Sequence, residues 1–123
     1  VRRLAPLALL VLAACSGLVL YERQVSDTLY FGTAKPDGSA AVTAAEWQQF
    51  LREEVTPRFA GFTHWDAHGS WKDVPEETHI LQIVHPPGHE ADIAAIVEAY
   101  KKRFAQEAVL QVRSEVWMPY QPR

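Results

Sequence analysis

Thr78-His79-Ile80-Leu81-Gln82-Ile83-Val84-His85 is a nearly unbroken apolar run, closed by Pro86-Pro87-Gly88. Such a run predicts a strand covered on both faces, at the centre of a sheet. On its C-terminal side Ile93, Ile96, Val97, Tyr100 and Phe104 recur at helical spacing and make one apolar stripe. Glu90 and Asp92 near the start of that helix, and Lys101, Lys102 and Arg103 near its end, suit the helix dipole. Val109–Val116 is a last β-rich segment, and Met118–Arg123, with two prolines, reads as a frayed tail.

On the N-terminal side, Asp73-Val74-Pro75-Glu76 reads as a hairpin connection to an extended segment over Phe62–Ala67, with Gly69 marking a bulge or bend. Thr43-Ala44-Ala45-Glu46 is a capping box. The Thr43 hydroxyl accepts a backbone N–H of the first turn, and Glu46 reaches back to the Thr43 N–H. Trp47, Phe50, Leu51 and Val55 follow at helical spacing, and Pro57 weakens the helix near Thr56. Lys35-Pro36-Asp37-Gly38 is a turn, because proline presets its backbone angle and glycine takes the strained one. Before it, Val25, Leu29 and Phe31 fall on one side of a strand and Tyr30 on the other.

The order strand, helix, strand, strand, helix, strand predicts an α+β, ferredoxin-like βαββαβ domain over residues 25–118. Its four-stranded antiparallel sheet has the first and third strands at the centre and both helices on one face. The other face then carries Tyr30, Trp65 and part of Ile80–Val84. Such a surface suits a homodimer packed face to face.

Length and charge narrow the classes. At 123 residues there is room for one domain, and the net charge of −3 argues against a nucleic-acid binder. One cysteine cannot make an internal disulfide. It lies in an informative place. Arg2-Arg3, then an apolar run from Leu4 to Leu12, then Leu12-Ala13-Ala14-Cys15, has the layout of a bacterial lipoprotein signal with its lipobox. Residues 1–14 are then the signal peptide, Cys15 the lipidation site, 15–24 a tether and 119–123 a C-terminal tail. Cleavage removes Arg2 and Arg3 and leaves 10 basic side chains against 15 acidic. The competing reading is a retained signal anchor, since Leu4–Leu20 is close to the length needed to span a bilayer. Both readings export the domain. Ser16 after the cysteine favours the outer membrane in a Gram-negative host, with the protein held on the periplasmic side of the cell envelope.

Several segments in order carry a family resemblance: Leu29-Tyr30-Phe31-Gly32, Pro36-Asp37-Gly38, Glu46-Trp47 with Phe50-Leu51, and Glu54-Val55-Thr56-Pro57-Arg58-Phe59. Asp66-Ala67, Gly69, Trp71, Ala99-Tyr100-Lys101, Arg103-Phe104, Gln106-Glu107 and Val109-Leu110 continue it. Together they resemble the domain of unknown function 3574 family (DUF3574), small exported bacterial proteins, many of them lipoprotein-like. The resemblance implies class and location, and no activity. One departure is Phe59-Ala60-Gly61, where the family pattern has proline after phenylalanine.

Chemistry-bearing candidates are few. His64 and His68, four apart on a strand, are about 13 Å from each other at 3.3 Å per residue, too far to share an ion. A hairpin turning near Val74-Pro75 would instead set His64 opposite His85, with Asp66 on the same face. His64, Asp66 and His85 are therefore the candidates for acid–base catalysis and for a two-histidine, one-carboxylate metal site; as ordinary polar residues at strand ends they need neither role. Tyr30, Trp65 and Trp71 are candidates for an aromatic binding surface. Tyr100, Arg103 and Glu107 are candidates for holding a ligand, although a core tyrosine and helix-end charges explain them equally. No nucleotide-binding, zinc-protease or serine-hydrolase motif occurs, and no cofactor is expected. The expectation is a lipid-anchored envelope protein that binds through its open sheet face. The alternative is a small cofactor-free enzyme of the dimeric α+β-barrel type, using histidine and aspartate. A closed apolar pocket holding one of those polar residues separates the second from the first.

Overall fold

The computed structural model describes residues 17–35, 37 and 41–121. Cys15, the signal segment, Pro36 and Gly38 of the Lys35–Gly38 turn and the last two residues lie outside them. The chain is α+β: β1 (Tyr21–Gly32), α1 (Ala44–Phe50), β2 (Thr63–Trp71), β3 (Val74–His85), α2 (Glu90–Arg103) and β4 (Leu110–Pro119). The four strands form one sheet in the order β2-β3-β1-β4, each pair antiparallel. This is the ferredoxin-like order, with β1 and β3 central. Among the described residues no helix is long and apolar enough to cross a membrane.

The ladder assigns each side chain to a face, because residues directly opposite one another point the same way. Leu29 faces Leu81 and Asp27 faces Ile83. Leu29, Phe31, Leu81 and Ile83 pack with Trp47, Phe50, Leu51 and Val55 from the first helical segment and Ile93, Ile96, Tyr100 and Phe104 from α2. Both helices therefore cover one face of the sheet. The Phe31 ring is the hub, 4.4 Å from the Tyr100 ring and 5.4 Å from that of Trp47.

Local chemistry places the ends of the elements. Thr43 caps α1 through both bonds of the capping box: its hydroxyl accepts from the Glu46 N–H at 3.1 Å, and its own N–H donates to Glu46 at 2.8 Å. The helix then widens into a π-helical turn, Leu51–Val55, closed by the Thr56 N–H donating to the Leu51 carbonyl. The regular helix ends there, but Thr56 keeps helical angles (φ −54°, ψ −38°) before Pro57, and the turn runs on until the Phe59 N–H donates to the Val55 carbonyl. β1 starts at Tyr21, four residues before the alternation from Val25 marks it, because Tyr21–Gln24 pair with the end of β4. β4 correspondingly runs to Pro119.

Two local expectations are corrected. The hairpin turns at Lys72-Asp73, where both residues have positive φ, 49° and 63°, and not near Val74-Pro75. Two consecutive residues with positive φ give the turn whose twist matches that of the flanking strands. Gly69 makes no bulge: it pairs with Glu76 in unbroken register. Its missing side chain instead gives room to Thr78, whose Oγ1 would lie 2.5 Å from a Cβ there.

Candidate functional site

Moving the turn by two residues moves every cross-strand partner. His64 lies opposite Leu81, Asp66 opposite His79, and His85 across from Val25 on the other neighbour. The set His64, Asp66 and His85 is thus not assembled, and among the described residues no group of three His, Cys, Asp or Glu is placed to hold a metal ion. Two histidine–aspartate pairs form in its stead, both on the helix-covered side of the sheet.

The first is buried. His85 Nε2 lies 2.7 Å from Asp27 Oδ2, and His85 Nδ1 lies 2.7 Å from the Pro86 carbonyl oxygen. Both ring nitrogens are engaged, so neither is left for a substrate. Asp27 Oδ1 also accepts from Gln111 Nε2 at 2.8 Å and Arg113 Nε at 2.9 Å. Burial pushes the Asp27 carboxyl up, the largest single influence. The bonds from His85, Arg113 and Gln111 together outweigh it and hold the group below its ordinary 3.8. The cluster ties β1, β3 and β4 together.

In the second pair, His79 Nδ1 lies 2.6 Å from Asp66 Oδ1. The His79 ring stacks on the Trp47 indole at 4.5 Å, nearly parallel. His79 is buried while the Asp66 carboxylate is exposed, so the pair packs the sheet edge against α1. His64 takes no hydrogen-bonding part in it; its ring lies edge-on to Trp47 at 6.2 Å and tilted against Phe62 at 6.3 Å. Neither pair lies at a cleft.

A cleft does form on the opposite, open face of the sheet, with a volume of about 670 Å³. That is the usual size for a small-molecule site. Tyr30, Thr78 and Ile80 lie along its floor, and Trp71, Val74 and Leu110 line it beside them. Lys72 from the hairpin turn pairs with Glu107 from the loop before β4 at 3.3 Å, and Gln106 Nε2 donates to the Ala34 carbonyl at 2.9 Å. These two contacts hold the hairpin, the end of β1 and the β4 loop around the cleft. Glu76 reaches across from β3, and its Oε2 accepts from the Ala34 N–H at 3.0 Å. Gly32 is what permits this, since a Cβ there would lie 2.6 Å from the Glu76 carboxylate.

The structure therefore brings Tyr30, Trp71 and Glu107 of the sequence candidates to one place. Trp65 shares the open face but lies outside the cleft lining, 42% exposed. Tyr100 and Arg103 belong elsewhere. Tyr100 is fully buried, and its hydroxyl donates to the Gly32 carbonyl at 2.6 Å. Arg103 donates to Glu53 at 2.8 Å and Glu54 at 3.3 Å, with its guanidinium over the Phe50 ring. Asp27, His79 and Glu76 were missed by sequence reasoning. Asp27 carried a signal: it occupies an inward position in the alternation Val25, Asp27, Leu29, Phe31, where a charge needs partners.

A family model described as Protein of unknown function (DUF3574) matches residues 26–120. The chain belongs to this family. The DUF3574 match runs from within β1 to one residue past β4, so the fold described above is the family's domain in this chain. No curated protein sequence matches the chain. Among solved structures, a phage SAM lyase in its apo state is similar at 13% identity, with a TM-score of 0.48, over 80% of this chain and 91% of that one.

Proposed function

We propose that this protein is a lipid-anchored component of the cell envelope that works by association, with a second copy of itself as the partner of the open sheet face. The observation that carries the association is the composition of that face. From the registers, it presents Tyr30 from β1, Trp65 and Trp71 from β2, Val84 from β3, and Leu110, Val112, Val116 and Met118 from β4, with Ile80 buried among them and Gln24, Thr28, Thr63, Gln82 and Ser114 as uncharged polar positions. The only charges among its strand positions are Glu22 and Glu76, at opposite ends. A large apolar surface of this kind on one domain marks an interaction site. Two such faces meet without like-charge repulsion at the centre, as a two-fold contact needs.

Area supports the same partner. Four strands about 4.8 Å apart and about ten residues long at 3.3 Å each make a face of roughly 600 Å². Two copies then bury roughly 1,200 Å², the lower bound of a standard stable interface. The anchor rests on Arg2-Arg3, the apolar run and Leu12-Ala13-Ala14-Cys15. A supporting feature lies where the described chain begins: Leu18, Val19, Leu20, Tyr21 and, from β4 and beyond, Trp117 and Tyr120 are all exposed at one end of the β1–β4 ladder. Exposed tryptophan and tyrosine beside a membrane anchor suit the bilayer interface.

Two measurements test this. Sedimentation of the full chain in mild detergent is expected to show a dimer, and Val112→Lys, at an exposed position of β4, a monomer. A monomeric wild type at about 0.1 mM would exclude a stable pair. Mass spectrometry of the protein from membranes is expected to find a chain beginning at diacylated Cys15. An intact Arg2–Ala14 peptide on most molecules removes the lipid anchor and leaves the association untouched.

A further inference from the structure

We infer that the cleft on the open face binds an organic cation, an ammonium group carried on a flat apolar body. This goes beyond the association reading and draws on the same face, so a ligand and a second copy compete for Tyr30, Trp71 and Leu110. The argument begins with the charges around the cleft. Lys72 is matched by Glu107 at 3.3 Å. Lys35 also lines the cleft and makes no ion pair among the described residues; its charge helps, after the Thr43 N–H as the main cause, to draw the Glu46 carboxyl below its ordinary range. Glu76 has no ion-pair partner among the described residues, only the backbone N–H of Ala34 on one oxygen. It is half-buried and shares the cleft lining with Ile80, Tyr30 and Trp71.

A carboxylate in partly apolar surroundings is stabilised by a cation that donates to it. The surroundings specify the rest of the ligand. Trp71 and Tyr30 offer aromatic faces, which attract both a flat apolar group and a cation. Val74 and Leu110 add aliphatic wall, and the volume of about 670 Å³ admits a ring with a short chain. Gly32 and Gly69 are built into the same arrangement. At each, a Cβ would collide with Glu76 or Thr78, at 2.6 Å and 2.5 Å respectively, so both glycines keep these two polar side chains lying along the floor.

The test uses three small probes of one shape and different charge: phenethylammonium, 2-phenylethanol and 3-phenylpropionate. Each is titrated into the full-length protein by calorimetry at neutral pH. Phenethylammonium is expected to bind about tenfold tighter than 2-phenylethanol, with 3-phenylpropionate the weakest. Glu76→Gln, which keeps an oxygen for the Ala34 N–H, is expected to remove the difference between the first two. Trp71→Ala, at an exposed wall position, is expected to weaken the ammonium and the alcohol together and to preserve their ratio. Equal affinities for the three probes, an ammonium preference that survives Glu76→Gln, or no heat from any of them at about 10 mM would overturn the proposal. The same titrations on Val112→Lys, whose open face is left uncovered whether or not the wild type pairs, decide the cation proposal, and sedimentation decides the pairing, so the two proposals fail separately.

Discussion

At Asp27 the chain places a carboxylate where no water reaches it and surrounds it with His85, Gln111 and Arg113. Burying a charge is unfavourable until each of its lone pairs is satisfied, and here three side chains from two other strands do so. Removing the charge strands His85 in the core. Asp27→Asn is therefore expected to lose about 3 kcal/mol of stability in urea unfolding. The same bonds fix an acid dependence. Because the folded carboxyl titrates below its ordinary 3.8, its contribution is fully present above that value and is lost as pH falls through the lower folded one. Urea midpoints measured from about pH 6 down to pH 2 should fall steeply at the acid end, and less steeply in Asp27→Asn. Tyr100 has the opposite sign. Burial first, then the Glu76 and Glu46 carboxylates, raise its hydroxyl well above 10.0. The unfolded chain loses that proton first, so stability should decline as pH rises past about 10. The inward position of Asp27 is readable from its strand alternation. Its partners are not, since they lie 58 to 86 residues away and are set by register.

Among the elements, α1 shows how much a short helix depends on its first turn. Seven residues are too few to be stable alone, so the capping box and the packing of Trp47 and Phe50 hold it. Thr43→Ala is expected to cost about 1 kcal/mol, read as a lower thermal midpoint with the fold retained. The box was legible in the sequence because both of its bonds are local. The hairpin between β2 and β3 was not legible to the same precision. Val74-Pro75 has turn chemistry, yet the turn falls at Lys72-Asp73, where Asp73 tolerates that backbone and Lys72 takes it without such a preference. An error of two residues in the turn displaced every predicted partner along β2 by four on β3. That is why His64 and His85 were expected together and Asp66–His79 was not foreseen. Periodicity gives the face of a strand, and turn position gives the partner.

At the scale of the molecule, one sheet has a helix-covered face and an open one, and chemistry divides between them. The polar clusters of Asp27 and His79 lie on the covered side and serve packing. The open side carries the cleft and the apolar surface. If the open faces of two copies seal that surface, folding and association are linked by mass action. The thermal midpoint should then rise with protein concentration over a hundredfold range, and Val112→Lys should flatten that rise. A midpoint independent of concentration in the wild type would mean that the open face contributes nothing to stability as a pair.

The element order, the central third strand, the first-turn cap and the split between an apolar inner face and an aromatic outer one were determined by the sequence alone. Each depends on contacts or periodicities within a few residues, which a linear text records directly. The register of β2 on β3, the closure of Asp27 by β3 and β4, and the cleft around Glu76 were decided only in the tertiary structure. All three depend on which distant residues come to lie opposite one another. In an antiparallel sheet that outcome turns on a single turn residue and on the packing of the whole core, and so it is recorded in no one segment of the chain.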